Sequence, residues 1–223
     1  MATGGEYFYE IITDENDARE AAKLIADIFS KSNMITVFDC VSSQLFYDAV
    51  AWPMMNNSFR KNNSILVRCR STGEIVAATT AEDLFIEHTD KLNNNVTNPI
   101  AVNDLLDVLD ELFINRDLGE ELKVNMILHI GLSAVSIEHS GKGIAYQMGQ
   151  FLANRAKEKG FQYLLVQTTN PATRYIYLNK MNGKEVTIID PTTWLWKQSP
   201  NEELTYPYKN YEGGIIPNIL IKL

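Results

Sequence analysis

The stretch Leu132-Ser133-Ala134-Val135-Ser136-Ile137-Glu138-His139-Ser140-Gly141-Lys142-Gly143-Ile144-Ala145 limits the fold more than any other part of the chain. In it an apolar run ends in a glycine-punctuated turn and passes directly into a helical pattern. Residues 126–135 read as a strand, and Ile144, Met148, Leu152 and Ala156 recur every fourth residue, a core-facing stripe that stops at Gly160. A turn of this kind aims several backbone N–H groups at one point, at the positive end of a helix dipole, and so can hold phosphate oxygens. Two better-known phosphate loops are excluded. Lys142 lies between two glycines, with Ile144 where a P-loop needs a hydroxyl for magnesium. The dinucleotide fingerprint needs glycine or alanine where Tyr146 stands. On these residues alone, a tight strand-to-helix turn without a ligand remains open.

Beyond Gly160, residues 162–169 read as a second strand. Asn170-Pro171-Ala172-Thr173-Arg174-Tyr175-Ile176-Tyr177 then reads as a helix start with proline in its first turn. At this spacing the succession resembles the GNAT superfamily of acetyl-CoA-dependent N-acetyltransferases. In that family a strand ending L-A-V-x-P-E-x-R-G-x-G-I-A is followed by a helix, a strand and N-P-A-S-x-x-I-Y. Three positions depart: Ser140 stands where the family prefers arginine or glutamine, Ile137 replaces a common proline, and Met181-Asn182-Gly183 replaces Leu-Gly-Phe. None removes a backbone N–H from the turn. The resemblance implies an α+β fold, the GNAT acyl-CoA N-acyltransferase fold, with a mixed central sheet of about seven strands flanked by helices.

At 223 residues the chain suits one domain spanning residues 1–223, with an inserted loop and helix at about 87–118 that either shapes an acceptor pocket or only packs. The net charge of −8 argues against general nucleic-acid binding and favours cationic small molecules. The start, Met-Ala-Thr-Gly-Gly-Glu, has no secretory pattern, and no apolar run approaches the roughly 18 to 20 residues of a membrane span, so a cytoplasmic protein without a membrane partner is expected. Cys40 and Cys69 lack metal-ligand spacing and read as two reduced core thiols; no metal is called for. The Asn-x-Ser/Thr triplets at Asn56, Asn62 and Asn95 are then accidental. A homodimer is left open.

A coarse reading of the rest is α+β in order. Residues 6–12 form a strand, and Asp14 or Thr13 caps a helix with Ala21, Ala22, Leu24, Ile25, Ile28 and Phe29 on its apolar face. A second helix covers residues 36–50. Residues 64–70 and 74–80 form a hairpin around Ser71-Thr72-Gly73. Residues 90–99 read as an asparagine-rich loop, and 102–113 as a helix with Leu105, Leu106, Leu109, Leu112 and Phe113 inward. Two last strands cover 185–190, extending toward Trp196, and 215–223.

The resemblance assigns acetyl-CoA as co-substrate, held by Leu132, Ala134, Val135, Ser140, Gly141, Lys142, Gly143, Ile144, Ala145, Asn170 and Thr173. Within that set the Val135 N–H polarises the thioester carbonyl and Asn170 binds the pantetheine or phosphate arm. An alkylamine of pKa near 10.4 is neutral in roughly one molecule per thousand at pH 7, a penalty of about 4 to 5 kcal/mol, so a base must take its proton. His129 is the candidate: it lies six residues before Val135, which strand alternation puts on the same face, and several GNAT branches carry histidine or glutamate there. A buried structural histidine is the alternative. His88 falls at the start of a polar loop, and His139 lies in the turn, where it covers the phosphate. Some GNAT amine acetyltransferases use a glutamate after the first helix, but Ile28-Phe29-Ser30-Lys31-Ser32-Asn33 contains none. Tyr177 is the candidate acid for the departing thiolate, with Tyr175 and Thr173 behind it. Trp194, Trp196, Tyr206, Tyr208 and Tyr211 either line the acceptor site or pack on the domain. Three functions follow: an N-acetyltransferase for a small primary amine such as an arylalkylamine, a non-catalytic acyl-CoA-binding module, or a protein or peptide N-acetyltransferase.

Overall fold

In the computed structural model, which describes residues 5–94, 100–197 and 203–223, seven strands make one mixed sheet in the order β1-β2-β3-β4-β5-β7-β6. They are β1 (Tyr7–Ile11), β2 (Ile65–Cys69), β3 (Ile75–Asp83), β4 (Ile127–Val135), β5 (Tyr163–Gln167), β6 (Lys184–Ile189) and β7 (Ile216–Lys222). Every neighbouring pair is antiparallel except β4 and β5. That parallel pairing joins only Ile127 through Ile130 to Tyr163 through Val166. Beyond it the second half of β4 has no strand partner on its β5 side. No helix among the described residues is long and apolar enough to cross a membrane.

Helices cover both faces. α1 (Glu15–Ser32), α4 (Trp52–Arg60), α5 (Leu84–Asn94) and α6 (Ala101–Leu112) lie on one; α7 (Ile144–Glu158) and the short α8 (Pro171–Tyr175) lie on the other. α1 starts where Asp14 accepts hydrogen bonds from the Asn16 and Asp17 amides, and it buries Ala18, Ala21, Ala22, Ile25 and Ala26. Small residues there let the helix lie close to β3. α6 sinks Leu105, Leu109 and the adjoining Phe113 into the core. At about 1.5–3 kcal/mol per fully buried large side chain, that anchors the inserted helix firmly.

A β-bulge in β4 changes the face on which its side chains fall. Thr79 faces Ser133 and Ala81 faces Ile130, so Thr80 stands alone against Gly131 and Leu132. Thr80 Oγ1 accepts from the Leu132 amide at 2.9 Å, and Thr79 Oγ1 donates to the Leu132 carbonyl at 2.8 Å, which satisfies the backbone the bulge frees. Leu128 and Ile130 consequently pack with α7, whereas Leu132 and Ala134 join the core beneath α1. His129 and Val135 therefore lie on opposite faces, and the shared face read from simple alternation is corrected.

Other boundaries also move. The single helix expected over 36–50 is α2 (Met34–Phe38), a turn at Cys40 (φ +54°), then α3 (Ser43–Phe46) running through a π turn, Tyr47–Ala51, into α4. Pro53 explains the π turn: its ring and missing N–H cannot join an ordinary helical ladder, and one wider turn absorbs both. The expected loop from 90 is helical through Asn94, within α5; residues 95–99, and with them the Asn95 triplet, lie outside the described residues. β3 runs to Asp83, three residues past the expected end, and β6 stops at Ile189, well before Trp196. Cys40 is exposed rather than in the core; Cys69 is buried, and both are free thiols.

Candidate active site

The parting of β4 and β5 opens a cavity of about 1340 Å³. A pocket for one drug-sized ligand spans about 300–1,000 Å³, so this volume suits two reactants together. One end is formed by the glycine turn, the other by α1, α4, α5 and α6.

At the turn, Gly141 (φ +75°) and Gly143 (φ +78°) hold left-handed backbone that other residues rarely adopt, and neither has an atom within 4 Å of where a Cβ would stand. Gly143 begins α7 without a side-chain cap, so the first amides of that helix face open space. Ser140, Gly141, Gly143, Ile144 and Ala145 all line the cavity. Lys142 stands on the exposed rim beside them, its ammonium 3.3 Å from Glu6. His139, also on the wall, is held by Tyr7, whose hydroxyl is 2.9 Å from Nδ1.

On β4 the Ser136 amide donates to the Val76 carbonyl. In an antiparallel ladder this makes Val135, opposite Ala77, a non-bonded position, so its N–H points away from β3 into the gap left by β5. Val135 and Ala134 line the cavity. Leu132 does too, but its amide and carbonyl are both committed to β3. Asn170 caps α8 by accepting from the Ala172 amide at 2.8 Å, which commits its oxygen and leaves its NH₂ as the donor to the cavity. Thr173 follows one turn on, also in the wall.

Tyr177 reaches the cavity from a π turn, Ile176–Lys180, that continues α8. It is 4% exposed, and burial raises its pKa, so the phenol stays protonated. Tyr175 is exposed and is not part of the wall.

At the other end His129 is 3% exposed. Its Nδ1 lies 2.7 Å from Glu87 Oε2 on α5 and 4.0 Å from Asp110 Oδ2 on α6. With a carboxylate at Nδ1, the proton of the neutral ring is held there, and Nε2 carries the lone pair. Nε2 is buried and has no hydrogen-bond partner among the described residues. Burial alone would lower the imidazolium pKa, but Asp110 and Glu87 outweigh it and push it up to about 9. Burial likewise pushes Asp110 up to about 6, against the pull of His129. The Glu87 carboxyl is held low because His129 and Lys91 overcome its burial. Glu87, Asp110 and His129 each offer a donor atom within 4.8 Å of the others, a spacing a cation could use. Lys91 supplies that charge, 3.1 Å from Glu87 and 4.0 Å from Asp110. Gln167 fixes Asp110 through a 2.8 Å hydrogen bond to Oδ1.

Glu87, Lys91 and Asp110 were not singled out from the sequence. The i,i+4 pair Glu87 and Lys91 is the local signal of the helix that carries two of them. His88 is on that helix, paired with Glu111 at 2.9 Å, rather than in a loop. The tail aromatics are not in the wall: Tyr208 and Tyr211 are buried in the α1-side core, and Trp196 donates to Asp104 at 2.7 Å. Phe29 and Phe46, stacked at 5.1 Å, are the phenylalanines on the acceptor side.

No family model and no curated protein matches the sequence. Solved structures do match along nearly the whole chain. The C-terminal condensation domain of Ebony, in complex with beta-alanyl-dopamine, has a TM-score of 0.77 at 13% identity, covering 97% of this chain and 99% of that one. Arylalkylamine N-acetyltransferase 2 from Aedes aegypti has a TM-score of 0.72 at 14% identity, covering 98% and 99%. An agmatine N-acetyltransferase has a TM-score of 0.72 at 12% identity, covering 98% and 100%. The chain has the fold of the GNAT N-acetyltransferases.

Proposed function

We propose that this protein is an acetyl-CoA-dependent N-acetyltransferase acting on the primary amine of a small molecule. The observation that carries the reading is one cavity lined both by the uncapped N-terminus of α7 and by a carboxylate-backed histidine, His129. The open left-handed turn fits a pyrophosphate, since only backbone approaches it there. The Asn170 NH₂ and the hydroxyl of Thr173 extend that lining toward Tyr177. Acetyl-CoA supplies the acetyl group as a thioester.

The chain's own groups do the proton work. His129 Nε2 takes a proton from the acceptor ammonium, and Glu87 stabilises the imidazolium formed, the arrangement in which a carboxylate orients a catalytic imidazole. The Val135 N–H polarises the carbonyl under attack, and the Tyr177 hydroxyl gives its proton to the departing thiolate. A base of pKa about 9 is nearly matched to an alkylamine but is neutral in only about one molecule per hundred at pH 7, so turnover rises with pH. Phe29, Phe46 and their apolar neighbours suit an aromatic or aliphatic body, which favours an arylalkylamine.

The test is release of free thiol from acetyl-CoA against a panel of arylalkylamines, diamines, amino acids and peptides, with calorimetric binding of CoA measured beside it. Thiol release with a small amine supports the proposal. CoA binding without release for any acceptor would leave an acyl-CoA-binding module, and release with peptides alone a protein acetyltransferase.

A further inference from the structure

Lys91 puts a primary ammonium from the protein itself into the acceptor half of the cavity. It lies 2.6 Å from Asp107, 3.1 Å from Glu87 and 4.0 Å from Asp110, and all four residues line that cavity with His129. The carboxylates come from two helices, α5 and α6, and Gln167 of β5 holds Asp110 in place, so the cluster is built rather than incidental. Three carboxylates facing one cavity would otherwise bind an organic ammonium. The wall from α1 through α4, with Ile28, Phe29, Phe46, Val50 and Met54, is apolar, and of the other carboxylates in the lining Glu82 is paired with Lys61 and Glu111 with His88.

We propose that Lys91 occupies the place the distal ammonium of a diamine would take, and so restricts the acceptor to monoamines with an uncharged body. The inference rests on the acetyltransferase reading for its kinetic form. An acceptor with one amine gives its charge to His129 and lays its body on the apolar wall. A diamine brings a second cation to a cluster already filled, where Lys91 both blocks and repels it. Lys91 is thus a specificity residue that rejects a competitor rather than one that grips the substrate.

The experiment compares kcat/KM for phenethylamine and 1,4-diaminobutane in the wild type, Lys91→Met and Lys91→Arg. The wild type is expected to prefer phenethylamine. Lys91→Met, which keeps length and loses charge, should move the ratio at least tenfold toward the diamine, and Lys91→Arg should keep the wild-type preference. Should Lys91→Met fail to fold, Lys91→Gln carries the same comparison, because it still donates a hydrogen bond to the carboxylates. Calorimetry gives an arm free of turnover: 1,4-diaminobutane should bind the uncharged variant at least tenfold more tightly than the wild type. A wild type that prefers the diamine, or an uncharged variant with an unchanged ratio and unchanged diamine binding, would overturn the inference. Absence of turnover with every amine would instead remove the acetyltransferase reading, while the calorimetric ratio still decides the role of Lys91.

Discussion

Replacing Glu87 with glutamine removes the charge 2.7 Å from His129 Nδ1 while keeping the shape of the side chain. His129 stands at about 9 against an ordinary 6.5, and Asp110 and Glu87 together hold it there against burial. With Asp110 left in place, the Glu87→Gln imidazolium should drop by more than one unit. A drop to about 7 would raise the neutral fraction at pH 7 from about one in a hundred to about one half. The base so freed is weaker, and its tautomer is no longer set by a carboxylate. The two effects oppose each other at neutral pH and act alone at alkaline pH. Turnover at saturating amine should therefore change little near pH 7 but fall by about 10² near pH 9.5, within the range for loss of a general base. The assay is carbon NMR of labelled imidazoles, three in this chain and assigned with His129→Gln, beside turnover profiles from about pH 6 to 10. An unmoved His129 titration, or an equal loss of turnover at every pH, would refute the dyad.

Gly143→Glu should abolish CoA binding, because it forces a side chain onto left-handed backbone in the space before the α7 amides and adds a like charge; Lys142→Ala, on the rim, should change the CoA dissociation constant only a few-fold by calorimetry. Tyr177→Phe should lower turnover and leave acetyl-CoA affinity within a few-fold, with a smaller loss for a thioester of a more acidic thiol; normal turnover in Tyr177→Phe would show the acid is elsewhere. Asn170→Ala should cost about 1 kcal/mol of stability through loss of the α8 cap, whereas Asn170→Asp, which keeps the capping oxygen, should keep the melting temperature and weaken CoA binding. The raised His129 pKa contributes stability that is complete below about pH 6.5 and is lost as pH rises through about 9. The melting temperature should accordingly fall between about pH 6.5 and 9, and His129→Gln should lack that part of the fall.

The glycine turn and its helix were legible because backbone geometry writes itself into sequence: two glycines at positive φ and apolar residues every fourth position have few other readings. His129 was found for a reason that does not hold. Counting six residues to Val135 assumes an unbroken pleat, and the bulge at Gly131 and Leu132 inverts it. A bulge depends on how Thr79 and Thr80 of another strand satisfy the freed peptide, which no local pattern reveals. Glu87 and Asp110 were missed because they meet His129 only through tertiary packing of two helices, one of which looked like loop. For the tail aromatics the sequence left lining and packing open, and packing is what Tyr208 does: it is fully buried, its hydroxyl bonded to Asp39 at 2.8 Å, and serves the core rather than the cavity.

The central claim is that acetyl transfer to an amine occurs in this cavity with His129 as the base. Rapid-quench single turnover tests it most directly: enzyme loaded with acetyl-CoA is mixed with phenethylamine near pH 9, and free thiol and N-acetyl product are counted together. The expected result is one amide per thiol in the wild type, with the rate of His129→Gln lower by about 10² to 10³ although it still binds acetyl-CoA. Thiol without amide, or an unchanged rate in His129→Gln, would contradict the account.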